Sequence, residues 1–136
     1  MFRLCHALAV ACLMWSPAVA AQDAATRLEL VMVEQRGCAY CARWDAEIAP
    51  IYPKTDAATR APLRRIDLRA SVPDDLSLTR PAVFTPTFVL VLDGAEVDRI
   101  EGYPGPDFFW PLLDEMLAQA DEMAGDSTHD DLLPID

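Results

Sequence analysis

The chain has 136 residues and a formal net charge of −11, because 22 Asp and Glu outnumber 11 Lys and Arg. This length corresponds to one domain, and a hydrophobic fraction of 52% excludes a chain that is disordered throughout. The sequence pI near 4.4 argues against nucleic-acid binding, which needs clustered lysine and arginine. Four cysteines in so short a chain suggest a secreted scaffold with two disulfides, so their positions decide how they are interpreted.

Residues 1–20 have the three parts of a secretory signal peptide. These are a basic start at Arg3, an uncharged apolar stretch over residues 4–15 that is short for a membrane span, and the end Ala18-Val19-Ala20. We expect cleavage after Ala20, which leaves an N-terminal extension over residues 21–27 and a net charge of −12, from 10 basic and 22 acidic residues. Less favoured alternatives are an uncleaved anchor, a buried first helix and a lipoprotein anchored at Cys12.

A strand and a helix are expected first in the mature chain. Leu28–Glu34 is apolar enough to form a buried central strand. From Cys38 to about Pro50 the periodicity is helical, since one face collects the side chains of Cys41, Trp44 and Ile48. The segments expected to follow are a helical turn over Asp56–Arg60, a second strand over Leu63–Leu68 and a loop over Ser71–Pro81.

The clearest pattern in the chain is a hairpin. Two strands, Thr87–Leu92 and Ala95–Glu101, are joined by Asp93-Gly94, which supplies the positive φ angles of a tight turn. A last helix is expected over Asp107–Ala120. Its buried stripe is expected to consist of Phe109, Leu112, Leu113, Met116 and Leu117. Residues 121–136 contain six acidic residues and no basic one, which is typical of a flexible acidic tail.

The two cysteines outside the leader, Cys38 and Cys41, lie where the first strand gives way to a helix. A helix N-terminus offers unpaired N–H groups and a positive dipole end, which favour a thiolate at Cys38 and make it the nucleophile. Cys41 is one turn further in, so it can attack a mixed disulfide between Cys38 and a substrate. The alternatives are weaker. Zinc normally takes four ligands and only His129 could add one, while a structural bridge across so small a loop removes little chain entropy.

A second motif, Phe84-Thr85-Pro86-Thr87-Phe88, places a proline at the start of a strand that should be central. A trans proline there would lose a ladder hydrogen bond, and a cis Thr85–Pro86 bond is one solution. With a Cys-x-x-Cys helix start and a cis-proline loop in this order, residues 28–120 resemble the thioredoxin superfamily. The resemblance implies an α/β thioredoxin fold, a central mixed sheet flanked by helices, in which Thr85 and Pro86 shape the substrate groove. Tyr40, between the cysteines, is expected to be exposed and to contact the substrate or tune the thiolate.

Within that superfamily the chain departs from thioredoxin itself, which usually has Trp before the first cysteine and Gly-Pro between the two. Here these residues are Gly37 and Ala39-Tyr40. Met32 stands where thioredoxin carries a buried aspartate, which relays a proton from the resolving thiol. That route is therefore in doubt in this chain, unless Glu34 or a water substitutes for the aspartate. Tyr40 and Thr85 are more similar to residues of glutaredoxins and periplasmic disulfide isomerases. The segment after the hairpin, Arg99-Ile100-Glu101-Gly102-Tyr103, does not reproduce the Gly-Gly turn of glutaredoxins, however, and we expect no room in the chain for the isomerases' dimerisation domain.

The likeness extends to the small exported thioredoxin-like proteins of bacterial sulfur-oxidation systems, the SoxS type. Their opening motif Glu-Gln-x-Gly-Cys-x-Tyr-Cys-x-x-Trp is similar to the segment from Glu34 to Trp44. The resemblance implies a periplasmic reductant that keeps a partner protein's cysteine reduced and is supplied by a membrane thiol transporter. We also expect a monomer without cofactor, metal or nucleic acid. The alternatives left open are a disulfide oxidant or isomerase, a glutaredoxin-like enzyme, and a non-catalytic binding module that keeps the fold.

Overall fold

The structure, a computed structural model, describes residues 26–130, with the backbone alone for residues 127–130. The predicted signal peptide and most of the N-terminal extension lie outside the described residues. No helix in the described range is long and apolar enough to cross a membrane. The elements in chain order are β1 (Leu28–Glu34), α1 (Ala39–Glu47), a 3-10 turn (Tyr52–Lys54), α2 (Asp56–Arg60), β2 (Leu63–Asp67), β3 (Thr87–Leu92), β4 (Ala95–Glu101) and α3 (Pro106–Asp130).

The four strands form one mixed sheet in the order β2-β1-β3-β4. β1 lies parallel to β2 and antiparallel to β3, and β3 pairs antiparallel with β4. The predicted hairpin is confirmed, because Asp93 and Gly94 join β3 to β4 with φ angles of 51° and 82°. A side chain at Gly94 would place its Cβ 2.1 Å from the backbone oxygen of Asp75, so the loop before β3 packs directly on this turn.

The two faces of the sheet are covered differently. One face packs against α1 and α3 and forms the main core, whose largest buried side chains are Trp44, Tyr52, Phe88 and Phe109. The ring of Trp44 lies 5.3 Å from that of Phe88 and 5.9 Å from that of Phe109, between centroids. The opposite face carries a smaller cluster, which consists of Val31, Leu76, Val89 and Val91 with Ile66 and Leu78 at its margin. Residues 71–81 supply part of that cluster, so a loop rather than a helix covers this face.

The last helix is longer than the sequence predicted. It does not end at Ala120 but continues to Asp130, so residues 121–130 are helical and the expected flexible tail does not begin at residue 121. The guanidinium of Arg60 hydrogen-bonds to Asp121 at 2.6 Å, which gives the added turn a partner on α2. Leu112 is exposed, and the buried stripe continues instead from Leu117 to Ala120. Residues 131–136 lie outside the described range.

Candidate active site

The two cysteines form a disulfide at the N-terminus of α1, with an S–S distance of 2.15 Å. Cys38 is the N-cap residue, and its sulfur accepts a hydrogen bond from the backbone N–H of Cys41 at 3.0 Å. Cys38 is partly exposed, whereas Cys41 is only 4% exposed. A substrate can therefore reach the sulfur of Cys38. After reduction, the same helix N-terminus favours a thiolate at this position.

A tight turn carries the chain from the end of β1 into α1. The N–H of Cys38 donates to the carbonyl of Gln35 at 3.3 Å, and Gly37 has a φ of 79°. Nothing lies within 4 Å of a Cβ built at Gly37, so the backbone conformation rather than space explains glycine there. The turn holds Cys38 just beyond the C-terminal end of the central strand β1.

Behind the disulfide lies the main core. Cys41 belongs to the same buried cluster as Trp44 and Phe88. Trp44 is fully buried, as expected for a core residue, and the guanidinium carbon of Arg65 lies 5.3 Å from its ring centroid. This close packing holds the helix face that carries Cys41 in one orientation, because a rotation of the helix would open cavities in the core.

The loop before β3 lies beside the active-site turn. The Thr85–Pro86 peptide bond is cis. The amide of Gln35 donates to the hydroxyl of Thr85 at 2.9 Å, and the N–H of Gly102 donates to the carbonyl of Pro86 at 2.7 Å. Pro86 is buried and Thr85 is half-buried. These bonds bring Thr85 and Pro86 next to the segment that leads into Cys38.

Three large apolar side chains are exposed on the two segments that form the site. Tyr40, between the cysteines, is 58% exposed, as the sequence predicted. Val83 and Phe84, directly before Thr85, are 64% and 59% exposed, and sequence analysis did not single them out as site residues. The signal was present, since both residues lie outside every predicted strand, Phe84 begins the proline motif and Val83 directly precedes it. We call Tyr40, Val83 and Phe84 the apolar rim.

A shallow depression of about 520 Å³ opens beside the disulfide. It is lined by both cysteines, by Gln35, Arg36, Gly37, Ala39 and Ala42, and by the carboxylates of Glu34, Asp45 and Asp67. Arg65 donates to Glu34 and to Asp45, each at 2.6 Å, and so bridges the end of β1 to α1. Among residues 26–130, no three Cys, His, Asp or Glu side chains are grouped so that they could hold a metal ion.

A hydrogen-bond network ties the far end of α1 to the segment before α3. The hydroxyl of Tyr103 donates to Glu47 at 2.7 Å, and Arg43 donates to the same carboxylate at 3.1 Å. These two bonds lower the pKa of Glu47. Burial, together with the bond to Glu47, raises the pKa of Tyr103, which therefore stays protonated as the donor. The network fixes the direction of α1 and with it the position of Cys38.

The fold and the place of the disulfide in it define a thiol-disulfide oxidoreductase with a thioredoxin fold. The model of the thioredoxin-like domain matches residues 17–117, and the chain belongs to this family. The crystal structure of the periplasmic thioredoxin SoxS from Paracoccus pantotrophus, in its reduced form, is 56% identical with a TM-score of 0.68, over 69% of this chain and 99% of that one. A thioredoxin from Malassezia sympodialis is 16% identical with a TM-score of 0.45, over 66% of this chain and 75% of that one. No curated protein matches the chain significantly.

Proposed function

We propose that the protein is a periplasmic thiol reductase that keeps a cysteine of a partner protein reduced. The observation that carries the proposal is the partly exposed Cys38 at the helix N-terminus, with Cys41 buried behind it. The Cys38 thiolate attacks the partner's disulfide, displaces one partner sulfur as a thiolate and forms a mixed disulfide. Cys41 then attacks Cys38, and the second partner sulfur leaves. The partner disulfide gains two electrons, and the Cys38–Cys41 pair loses them.

The compartment and the direction of electron flow are inferred from the similarity. The 56% identity to a protein described as a periplasmic thioredoxin supports both the periplasm and a reducing role. The predicted signal peptide over residues 1–20 supports export. We further propose that the protein acts as a monomer in sulfur oxidation and that a membrane thiol transporter returns electrons to the Cys38–Cys41 disulfide.

We place the substrate segment along Thr85 and Pro86. The hydrogen bond from Gln35 to Thr85 holds this loop beside the active-site turn, which supports the placement. The apolar rim combines residues of both segments, because Tyr40 belongs to α1 and Phe84 to the loop before β3. A partner that presents an apolar side chain next to its cysteine would cover this rim.

The redox equilibrium of the Cys38–Cys41 pair against glutathione tests the direction. We expect a reduction potential below about −200 mV, in the range of reducing thioredoxins and glutaredoxins. A potential near that of strong oxidants, about −120 mV, would contradict a reductase and favour an oxidant.

Dithiothreitol-dependent reduction of insulin, with Cys38→Ser as control, tests catalysis itself. Absence of exchange at both thiols would favour a non-catalytic binding module.

A further inference from the structure

The second step of the exchange requires that Cys41 lose a proton. Only a thiolate attacks a disulfide, so the Cys41 thiol has to ionise as it attacks Cys38. Burial disfavours that ionisation, and Cys41 is almost fully enclosed. Met32, in the middle of β1 on the same face of the sheet, is fully buried and has no group that accepts a proton. The proton acceptor must therefore be sought elsewhere around Cys41.

The depression beside the disulfide is the route by which polar groups reach Cys41. The charged groups that line it are Glu34 from β1, Arg36 from the turn, Asp45 from α1 and Asp67 from β2. Arg65, also on β2, contacts two of them. Three acidic residues thus line the same depression as the two cysteines, and its volume is large enough for several water molecules.

Among these acidic residues, Glu34 is held by Arg65, as Asp45 is, and it is the more enclosed of the two. Its Oε2 atom accepts from Arg65, whose guanidinium also bonds to Asp45 and packs over the ring of Trp44. The Glu34 side chain is 31% exposed, less than the 44% of Asp45. Asp67 is exposed and accepts the backbone N–H of Arg69 instead.

We propose that Glu34 accepts the Cys41 proton, through water in the depression, and that Arg65 positions the Glu34 carboxylate for this transfer. The inference rests on the proposed thiol-disulfide function. The proton leaves the Cys41 sulfur, and the sulfur's electron pair forms the bond to Cys38. The bond between Cys38 and the substrate sulfur breaks, and its electron pair leaves with the substrate as a thiolate. Glu34 then returns the proton to solvent.

A proton acceptor and a mere negative charge predict opposite results when Glu34 loses its charge. A carboxylate near a thiol opposes thiolate formation by repulsion, so its removal should speed the attack of Cys41. A carboxylate that takes the proton assists the attack, so its removal should slow it. The direction of the change therefore separates the two roles.

The test follows each thiol separately in the reduced protein. The reagent is one equivalent of the aromatic disulfide dithiobis(nitrobenzoate). It releases one thionitrobenzoate when Cys38 attacks it and a second when Cys41 attacks the resulting mixed disulfide. Stopped-flow absorbance measures the rates of both phases. For Glu34→Gln we expect a second phase about tenfold slower near pH 7, with the first phase not slowed. The difference should shrink toward about pH 10, where the thiol ionises without assistance.

Asp67→Asn is the matched control, since it removes a carboxylate from the same depression without touching Arg65. Its second phase should stay within about twofold of the unaltered rate, and Glu34→Asp, which keeps a carboxylate, should recover part of the loss. An unchanged or faster second phase in Glu34→Gln would overturn the inference, as would equal slowing in Asp67→Asn. If the unaltered protein released no thionitrobenzoate at all, the proposed function itself would fail.

Discussion

The two faces of the sheet are held by different forces. The helical face buries a cluster of aromatic rings around Trp44 and Phe109. The loop face has a smaller apolar cluster and is fastened by ion pairs, namely Arg64–Asp75, Arg80–Glu101 and Arg99–Glu96. The helical face holds Cys41 from behind, while the loop face holds the segment that leads to Thr85 and Pro86. Aromatic packing, together with the Glu47 network, therefore holds the sulfurs, whereas ion pairs hold the loop that leads to Thr85 and Pro86.

One ion pair of the loop face is buried. The side chains of Glu96 and Arg99 are 4% and 5% exposed, and Glu96 also accepts the backbone N–H of Thr79 at 2.7 Å. Arg99 donates to the carbonyl of Arg80 at 2.8 Å, so the pair ties the loop to β4 at two points. Although burial opposes it, hydrogen bonds from Arg99 and Thr79 lower the pKa of Glu96.

The largest effect is expected on the helical face. Trp44→Ala should lower the free energy of unfolding by about 4 kcal/mol, because the cavity left among Phe88 and Phe109 cannot close. Leu76→Ala, a truncation on the loop face, should cost about 2 kcal/mol, since that cluster is smaller. Urea denaturation of both variants measures the difference. Equal losses would contradict the contrast between the faces.

The next effect concerns the buried ion pair. Glu96→Gln should lower the free energy of unfolding by about 3 kcal/mol at neutral pH, because the buried Arg99 would lose the carboxylate that it contacts at 2.6 Å and keep only Glu101, at 3.6 Å. Arg60→Gln, which breaks the exposed pair with Asp121, is the control and should cost less than about 1 kcal/mol. A loss below about 1 kcal/mol in Glu96→Gln would show that the loop does not depend on this pair.

The same pair predicts a pH dependence. The pKa of Glu96 is lower in the native protein than its ordinary value of 4.5, so its charged form stabilises the fold fully above that value. This contribution is lost as the pH falls through the lowered native pKa. The unaltered protein should therefore lose stability more steeply than Glu96→Gln below about pH 4, and the two stability curves should converge. Parallel curves in acid would contradict this account.

The smallest effect on stability is expected at the apolar rim. Phe84→Ser should change the free energy of unfolding by less than about 0.5 kcal/mol, because the side chain is exposed. It should lower kcat/KM for a protein disulfide about tenfold, as loss of an exposed anchor in an interface does. Ile51→Ser, also exposed but beyond the opposite end of α1, is the control. Equal activity in both variants would remove Phe84 from the substrate surface.

Local sequence signals predicted the helical face and the site's central motifs. The apolar run of β1, the Asp93-Gly94 turn and the pair Cys38 and Cys41 are each encoded within a few neighbouring residues. The extension of α3 past Ala120 was missed, and its contact with Arg60 leaves no local pattern in the sequence, since Arg60 and Asp121 are 61 residues apart. Composition alone favoured a tail there.

The loop face was predicted least well, for the same physical reason. Its ion pairs join segments far apart in the chain, such as Arg64 and Asp75 or Arg80 and Glu101, and no periodic pattern marks such partners. The bridging of Glu34 and Asp45 by Arg65 is also a product of the fold, since it needs β1, α1 and β2 in place. The sequence raised Glu34 as an alternative to the absent aspartate but offered no partner for it.

The most direct test of the central claim, that Cys38 attacks and Cys41 resolves, is covalent capture of a disulfide substrate by single-cysteine variants. Incubated with insulin, the Cys41→Ser variant should accumulate a mixed disulfide between Cys38 and insulin, because no second thiol is present to release the insulin chain. Dithiothreitol should cleave this mixed disulfide. Cys38→Ser should accumulate little, since Cys41 is buried. Capture by Cys38→Ser at an equal or higher rate, or by neither variant, would contradict the assignment.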